Sequence, residues 1–251
     1  MTAAHLPVVD RLLRDRPAFH LGGERNWNSL PQTLAAICDA VKPGDVTLET
    51  GVGASTVIFA ACGAYHTAIS PEGEEHQRVL EYCEALGIDT GRLEFVEGLS
   101  DDELPRRLTR ERTLDVAFID GAHSFPFPEV DWFYVTRALK VGGRLFMDDI
   151  PIPAVAPLFR HMQLESNWQL EGVLDNRAAA FSLLTEPEPE DWPAQRFNDS
   201  YPDYSFADVR TRVALVARFR VARARSELAR RYPSLRRVYR GGTGALTRAT
   251  R

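Results

Sequence analysis

The feature that most constrains the fold of this chain is a regular alternation of strand and helix patterns, from about residue 29 to residue 185. Short apolar runs, such as DVTLET and LDVAFID, are separated by longer segments with apolar residues at helical spacing. Strands that are joined through helices pair in parallel by right-handed crossovers, which places helices on both faces of the sheet. The sequence therefore predicts an α/β fold with a doubly wound, mostly parallel sheet.

The last two predicted strands differ from the others because only the short turn DNRA separates them. NWQLEGVLDN and AAAFSLLT are too close in sequence for a crossover helix, so we expect them to pair as an antiparallel terminal hairpin. In doubly wound sheets, ligands bind at the carboxyl ends of the strands, near the point where the strand order reverses. The turns that follow the strands are therefore where a site is expected.

The composition is that of a globular protein with a substantial core. Of the 251 residues, 44% are hydrophobic and 26% are charged. The three cysteines match neither a disulfide framework nor the spacing of a metal site, which favours a reducing compartment. The N-terminal segment has no signal-peptide pattern and no apolar run is long enough to cross a bilayer, so we expect a cytoplasmic protein.

Charge divides the chain into an acidic body and a basic tail. Residues 206–251 contain 13 arginines and two acidic residues, for a net charge of +11, whereas the rest of the chain carries −16. A segment rich in proline and acid, TEPEPEDWP, separates the two parts. We therefore expect an N-terminal segment at 1–28, a ligand-binding domain at 29–185, a linker at 186–205 and a helical tail at 206–251, whose last residues, GGTGALTRATR, we expect to be disordered.

Two segments have roles that the sequence leaves open. The basic tail could contact nucleic acid, an acidic membrane surface or the acidic body of a second copy in a homo-oligomer. A solvated helix is the favoured interpretation, since runs of charge usually face water. The segment HLGGERNWNSL, before the first sheet helix, could close over the site as a lid or pack on the sheet.

A glycine turn follows the first predicted strand, in VTLETGVGAST. Gly51 and Gly53 place backbone N–H groups and the positive end of a helix dipole beside the strand end, where a nucleotide or carboxylate can bind. Thr56 stands where a dinucleotide-binding motif has its third glycine, and Ser70 stands where that motif's ribose-binding acid is expected, which argues against a nicotinamide cofactor. No phosphate-loop lysine follows, which argues against a nucleoside triphosphate. The alternative is that the glycines only shape a tight turn.

The same stretch resembles motif I of the class I S-adenosylmethionine-dependent methyltransferases, which reads acid-x-Gly-x-Gly. Glu49, Gly51 and Gly53 match it, with Ser55 and Thr56 in the following helix turn. The resemblance covers roughly residues 29–185 and implies the family's Rossmann-like fold with a seven-stranded sheet. It also implies that the glycines let the methionine part of the cofactor approach the backbone, while the acid helps hold its ammonium group.

The resemblance extends to the residues that would hold the rest of the cofactor. EGLSDDELP looks like the adenine-binding loop, with Ser100 and Asp101 as candidate contacts. The family usually binds the ribose with an acid at the end of the second strand, where this chain has Ser70, and Glu72 is the nearest replacement. Asp120, after the fourth strand, is a further candidate for a cofactor contact.

Three aspartates and a histidine follow two later strands, in FIDGAHSF and LFMDDI. Asp120 ends one strand, and Asp148 and Asp149 end the next, so the three carboxylates should meet at the carboxyl edge of the sheet. Clustered carboxylates repel one another unless a cation neutralises them, and Mg²⁺ or another hard divalent ion suits such oxygen ligands. His123 lies near enough along the chain to act as a base at the same site.

This spacing resembles the metal-dependent O-methyltransferases, most closely those of the macrocin O-methyltransferase type and more distantly catechol O-methyltransferase. The resemblance implies that Asp120, Asp148 and Asp149 hold the metal and that His123 is the catalytic base. The alternative is that the aspartates cap the next helix or contact the cofactor, and that the histidine is only hydrogen-bonded.

The sequence therefore predicts an S-adenosylmethionine-dependent methyltransferase that methylates a hydroxyl group of a small molecule with a divalent metal. Two alternatives stay open. One is a metal-independent methyltransferase of the same fold that acts on nitrogen or another atom. The other is a catalytically silent relative that binds a nucleoside ligand or a partner.

Overall fold

The computed structural model describes residues 6–187, 195–199 and 204–232. The chain divides into two compact units, Met1–Glu186 and Pro187–Arg251. Much of the predicted linker at 186–205 and the end of the tail, GGTGALTRATR included, lie outside the described residues.

The first unit is built on one sheet of seven strands. The strands are β1 (Val46–Thr50), β2 (Tyr65–Ser70), β3 (Leu93–Glu97), β4 (Leu114–Ile119), β5 (Leu139–Met147), β6 (Trp168–Leu174) and β7 (Ala178–Leu183). Their order is β3-β2-β1-β4-β5-β7-β6; the first five are parallel, and β7 runs antiparallel to both β5 and β6. The predicted fold class, a doubly wound, mostly parallel sheet with an antiparallel terminal hairpin, is confirmed.

Helices cover both faces of this sheet. They are α1 (Leu6–Asp15), α2 (Pro31–Ala40), α3 (Ala54–Ala61), α4 (Gly73–Ala85), α5 (Ser100–Arg107), α6 (Phe127–Ala138) and α7 (Ala156–Leu164). Buried side chains of α1 to α4 form one apolar cluster with one face of the sheet, and those of α5, α6 and α7 form a second cluster with the other face. The strand order reverses between β1 and β4, so their carboxyl ends border the crevice where ligands are expected.

The N-terminal segment contributes to the core of the first unit. Val9 and Leu12 of α1 and Phe19 are each no more than 5% exposed, and they belong to the apolar cluster of α2 to α4. In the segment HLGGERNWNSL, which follows Phe19, His20 and Trp27 border the cavity described below, and closure of this segment as a lid stays a prediction.

Helix α6 ends earlier than its sequence pattern suggests. The pattern PFPEVDWFYVTRALKVGG predicts a helix up to the glycine pair, but α6 ends at Ala138 and β5 begins at Leu139. Leu139 is fully buried and pairs with Leu114 of β4, with a register shift before Val116. Burial and strand pairing thus override the helical pattern of this segment.

The second unit contains α8 (Val209–Arg231). This helix begins after Asp208, whose carboxylate accepts a hydrogen bond from the Thr211 amide at 3.0 Å and so caps the helix N-terminus. In the described part of the chain, no helix is both long enough and apolar enough to span a membrane.

Candidate functional site

A cavity of about 560 Å³ opens at the carboxyl ends of β1, β2 and β4, where the strand order reverses. Predicted site residues that line it are Gly51, Gly53, Ser55, Ser70, Glu72, Ser100, Asp120, His123 and Asp149. Glu49, Thr56, Asp101 and Asp148 are not among the lining residues. The topology therefore brings most of the predicted site to one cavity.

The turn after β1 requires glycine at its first position. Gly51 has a φ of +100°, and its N–H donates to the carbonyl oxygen of Ile69 at 2.8 Å. A Cβ on Gly51 would overlap the carbonyl oxygen of Asp120, because the ends of β1 and β4 are adjacent. The absence of a side chain at Gly51 thus allows the backbone segments at the ends of β1 and β4 to approach each other closely at the edge of the cavity.

The Glu49 carboxylate lies inside the protein and not at the cavity surface, and its contact with the cofactor stays a prediction. Its carboxylate is fully buried, accepts a hydrogen bond from the Ser55 hydroxyl at 2.6 Å and one from the Thr56 hydroxyl, and lies 3.2 Å from the His66 ring. The Thr56 hydroxyl also accepts from the Gly53 amide at 2.9 Å. In this arrangement the hydrogen bonds of Glu49 and Thr56 fix the start of α3.

At the β2 end of the cavity, residues of the N-terminal segment join the predicted ones. Ser70 and Glu72 line this end, and the Glu72 amide donates to the Ser70 hydroxyl at 3.3 Å. His20 and Glu75 form a pair, with 3.1 Å between His20 Nδ1 and Glu75 Oε2, and the Trp27 ring stacks on His20 at 5.7 Å. Neither His20 nor Glu75 belongs to a motif in the sequence, so only the fold reveals them as site residues.

Asp131 lies behind the loop that carries Ser100. This aspartate of α6 is fully buried, and neither carboxylate oxygen makes a hydrogen bond to a residue that the structure describes. Burial raises its pKa to about 6, while the neighbouring hydroxyls of Ser100 and Thr50 act in the opposite direction. Asp131 therefore supports the cavity wall from inside. Its position in an apolar helix pattern gave no sign of this role.

The acid cluster, which consists of Asp120, Asp148 and Asp149, lies at the carboxyl ends of β4 and β5. His123 lies between two of its members, with 3.6 Å from Nε2 to Asp120 Oδ1 and 3.5 Å from Nδ1 to Asp149 Oδ2. Loss of solvent and the nearby charge of Asp148 raise the pKa of Asp120 well above its usual range. Asp149 has a φ of +52°, so the backbone leaves the extended conformation at the end of β5.

Arg177 completes the cluster and was missed in the sequence. Its Nη2 lies 3.0 Å from Asp148 Oδ2, and its Nε lies 2.8 Å from Asp149 Oδ1. The residue follows the β6–β7 turn, where Asp175 and Asn176 both have positive φ, and its side chain lines the cavity. The sequence showed it only as an arginine in a predicted turn, with no motif to link it to residues 28 positions earlier.

A divalent ion does not fit the cluster in this arrangement. The Arg177 guanidinium holds the two adjacent carboxylates that an ion would have to bridge. Among the described residues, no group of three or more His, Cys, Asp or Glu side chains has a geometry that could hold a metal ion. The metal role of Asp120, Asp148 and Asp149 therefore stays a prediction from the sequence, and it conflicts with the position of Arg177.

An S-adenosylmethionine molecule, in contrast, suits the residues present. The glycine turn leaves space that side chains would fill, and polar groups at Ser70, Glu72 and Ser100 border the same cavity. Backbone amides at a helix N-terminus and a few convergent polar groups are what a nucleoside ligand with a carboxylate requires.

A family model described as a methyltransferase domain matches residues 48–150. This range begins in β1 and ends after β5, so it contains the glycine turn and the acid cluster. No curated protein gives a significant match to the chain.

Solved structures with the same fold are distant in sequence. The cofactor-bound protein Rv0187 from MTB is 17% identical with a TM-score of 0.57, covering 70% of this chain and 89% of that one. A candidate O-methyltransferase from Klebsiella pneumoniae is 18% identical with a TM-score of 0.55, covering 71% and 90%. A methyltransferase from Geobacter sulfurreducens is 14% identical with a TM-score of 0.53, covering 74% and 91%. At such identities these likenesses establish the fold. Together with the match of residues 48–150 to a methyltransferase domain, they show that this chain has the Rossmann-like fold of the class I methyltransferases.

Proposed function

We propose that this protein transfers a methyl group from S-adenosylmethionine to a hydroxyl group of a small molecule, with His123 as the base. The observation that carries the proposal is the position of His123. It lines the same cavity as the glycine turn, between the carboxylates of Asp120 and Asp149. An imidazole that faces both the donor and the acceptor space suits proton removal during methyl transfer.

The cofactor would lie along the carboxyl ends of β1 and β2. The backbone of the Gly51–Gly53 turn would lie against its methionine part, Ser70 and Glu72 would bind its ribose hydroxyls, and Ser100 would contact its adenine. His20 and Glu75 border the ribose end and would close it from the N-terminal side. When bound, S-adenosylmethionine supplies an electrophilic methyl group on a sulfonium.

His123 would act on the acceptor as the new bond forms. Its Nε2 makes no hydrogen bond to a described residue, so its lone pair is not committed to another group and could accept the hydroxyl proton. As the proton passes to His123, a lone pair of the acceptor oxygen forms the bond to the methyl carbon, and the electrons of the breaking carbon–sulfur bond stay on sulfur. The carboxylates beside the ring would orient the imidazole and stabilise its protonated form.

A hydroxyl group is favoured over other methyl acceptors because a base is in place at the cavity. A neutral amine is nucleophilic enough to attack before it loses a proton, whereas a hydroxyl becomes a good nucleophile only as its proton is removed. The likeness of the fold to the candidate O-methyltransferase from Klebsiella pneumoniae is consistent with this choice. The cytoplasmic location and any partner of the basic tail stay predictions from the sequence.

The test combines cofactor binding with turnover. Isothermal titration should show that the wild-type protein and His123→Ala bind S-adenosylmethionine with affinities within a few-fold of each other. Turnover of a panel of sugar and phenolic hydroxyl acceptors should fall about 10²–10⁴-fold in His123→Ala. His161→Gln is the matched control, because His161 is a half-buried histidine of α7 that does not line the cavity.

Two results would contradict the proposal. If wild-type protein binds no S-adenosylmethionine, the cofactor assignment is wrong. If His123→Ala turns over a hydroxyl acceptor as fast as His161→Gln does, His123 is not the base.

A further inference from the structure

We propose that Arg177 is the built-in counter-ion of the acid cluster and occupies the place that a divalent metal ion was expected to hold. The catalytic consequence, methyl transfer without a metal, rests on the proposed function. The binding consequence does not: the cluster should bind divalent ions only after Arg177 is removed.

The contacts of Arg177 are those of a bridging cation. Its guanidinium reaches Asp148 Oδ2 at 3.0 Å through Nη2 and Asp149 Oδ1 at 2.8 Å through Nε, and Nη2 also donates to Asp149 Oδ2 at 3.4 Å. The Asp148 side chain is only 2% exposed, so its charge is shielded from water and needs a close positive partner. A planar guanidinium that spans two carboxylates provides this charge in a fixed geometry.

The backbone of Arg177 is fixed on the side that faces the cluster. Its N–H donates to Leu174 across the turn, and its carbonyl oxygen accepts from the Ile150 amide, each at 2.9 Å. The second of these bonds ties Arg177 to the residue that directly follows Asp148 and Asp149. Backbone hydrogen bonds in the loops next to β5 and β7 therefore hold Arg177 beside the cluster.

Helix α2 also anchors the turn before Arg177. Asp175 accepts hydrogen bonds from the Thr33 amide at 3.0 Å and the Thr33 hydroxyl at 3.2 Å, and its own amide donates to Gln32 at 3.1 Å. These residues lie in the first turn of α2. Two elements thus hold the turn, which limits how far Arg177 can move away from the carboxylates.

A divalent ion and the guanidinium compete for the same oxygens. An ion that bridged Asp148 and Asp149 would need the positions that Nε and Nη2 occupy, and the two cations would repel each other at this separation. Once the guanidinium is removed, the side chains of Asp148 and Asp149 lose the partner that holds them and can turn to share an ion with Asp120. Such a set of carboxylate oxygens is what Mg²⁺ and Mn²⁺ prefer.

The experiment measures Mn²⁺ binding by electron paramagnetic resonance in three full-length proteins. The wild type and the control Arg144→Gln should bind Mn²⁺ weakly, and Arg177→Gln should bind it at least tenfold more tightly, in competition with Mg²⁺. Arg144 is a suitable control because it is an arginine of β5 that pairs with Glu171 outside the cavity. Arg177→Lys keeps the charge, so its Mn²⁺ affinity should stay near that of the wild type.

The proposal fails if wild-type protein binds Mn²⁺ stoichiometrically at micromolar concentration and Asp148→Asn abolishes that binding. It also fails if Arg177→Gln folds but binds Mn²⁺ no more tightly than the wild type does. A third contrary result is that Arg177→Lys binds Mn²⁺ at least tenfold more tightly than the wild type. If Arg177→Gln does not fold, the Mn²⁺ titrations of the wild type and Arg177→Lys still test the proposal. Turnover by wild-type protein should be unchanged in excess EDTA. Absence of S-adenosylmethionine binding would overturn the proposed function and leave the Mn²⁺ result standing.

Discussion

Substitution of Gly51 by alanine should destabilise the sheet at the point where the site is built. Gly51 has a φ of +100°, and a Cβ there would overlap the carbonyl oxygen of Asp120 and lie 3.1 Å from its carbonyl carbon. Neither obstacle is the end of a flexible side chain. The overlap can be relieved only if the ends of β1 and β4 separate, which would strain the hydrogen bond from the Asp120 amide to the Thr50 carbonyl.

The size of the effect follows from two contributions. An alanine in a left-handed backbone conformation costs about 1–2 kcal/mol. Forcing an additional carbon into packed structure adds about 1–3 kcal/mol. We therefore expect Gly51→Ala to lower the free energy of unfolding by about 2–5 kcal/mol, which is a large part of the 5–15 kcal/mol that is typical of folded proteins.

Gly44→Ala separates the two contributions. Gly44 has a φ of +86°, but a Cβ there would meet no atom within 4 Å, so only the backbone cost applies. Urea denaturation of both variants should show that Gly51→Ala is less stable than Gly44→Ala by about 1–3 kcal/mol, which corresponds to at least about 2 °C in melting temperature. If the two variants are equally stable, the close contact between the turn and Asp120 does not constrain residue 51.

Two further predictions concern buried carboxyl groups. Glu49→Gln should lower the free energy of unfolding by about 1–3 kcal/mol, because an amide nitrogen would face the hydroxyl donors of α3. Its affinity for S-adenosylmethionine should change less than tenfold. Unchanged stability with a large loss of S-adenosylmethionine affinity would contradict a structural role for Glu49. The pKa of Asp131 is raised to about 6 from an unfolded value near 4. Its ionisation therefore removes stability from the native state as the pH rises from about 4 to about 6. Relative to wild type, Asp131→Asn should gain up to about 3 kcal/mol of unfolding free energy between pH 4 and pH 7, and a pH-independent difference in chemical denaturation would refute this.

The sequence determined the layout of the sheet and the edge at which the site lies. Alternating strand and helix patterns lead to parallel pairing, and the carboxyl ends of parallel strands meet at one edge. That rule alone predicts that the Gly51 turn, Asp120 and the Asp148–Asp149 pair lie along one edge of the sheet. Local patterns carry this information because each strand and each turn is coded by neighbouring residues.

Only the tertiary structure decided which groups these residues face. Arg177 reaches the acid cluster from a turn that is 28 residues away from Asp149, His20 reaches the glycine turn from outside the predicted domain, and Glu49 points into the protein toward α3. Periodicity assigns a residue to one face of a strand, but at a strand end the backbone turns and this assignment no longer holds. Which charge balances Asp148 and Asp149 depends on packing between segments that are distant in the chain, and no local pattern contains that information.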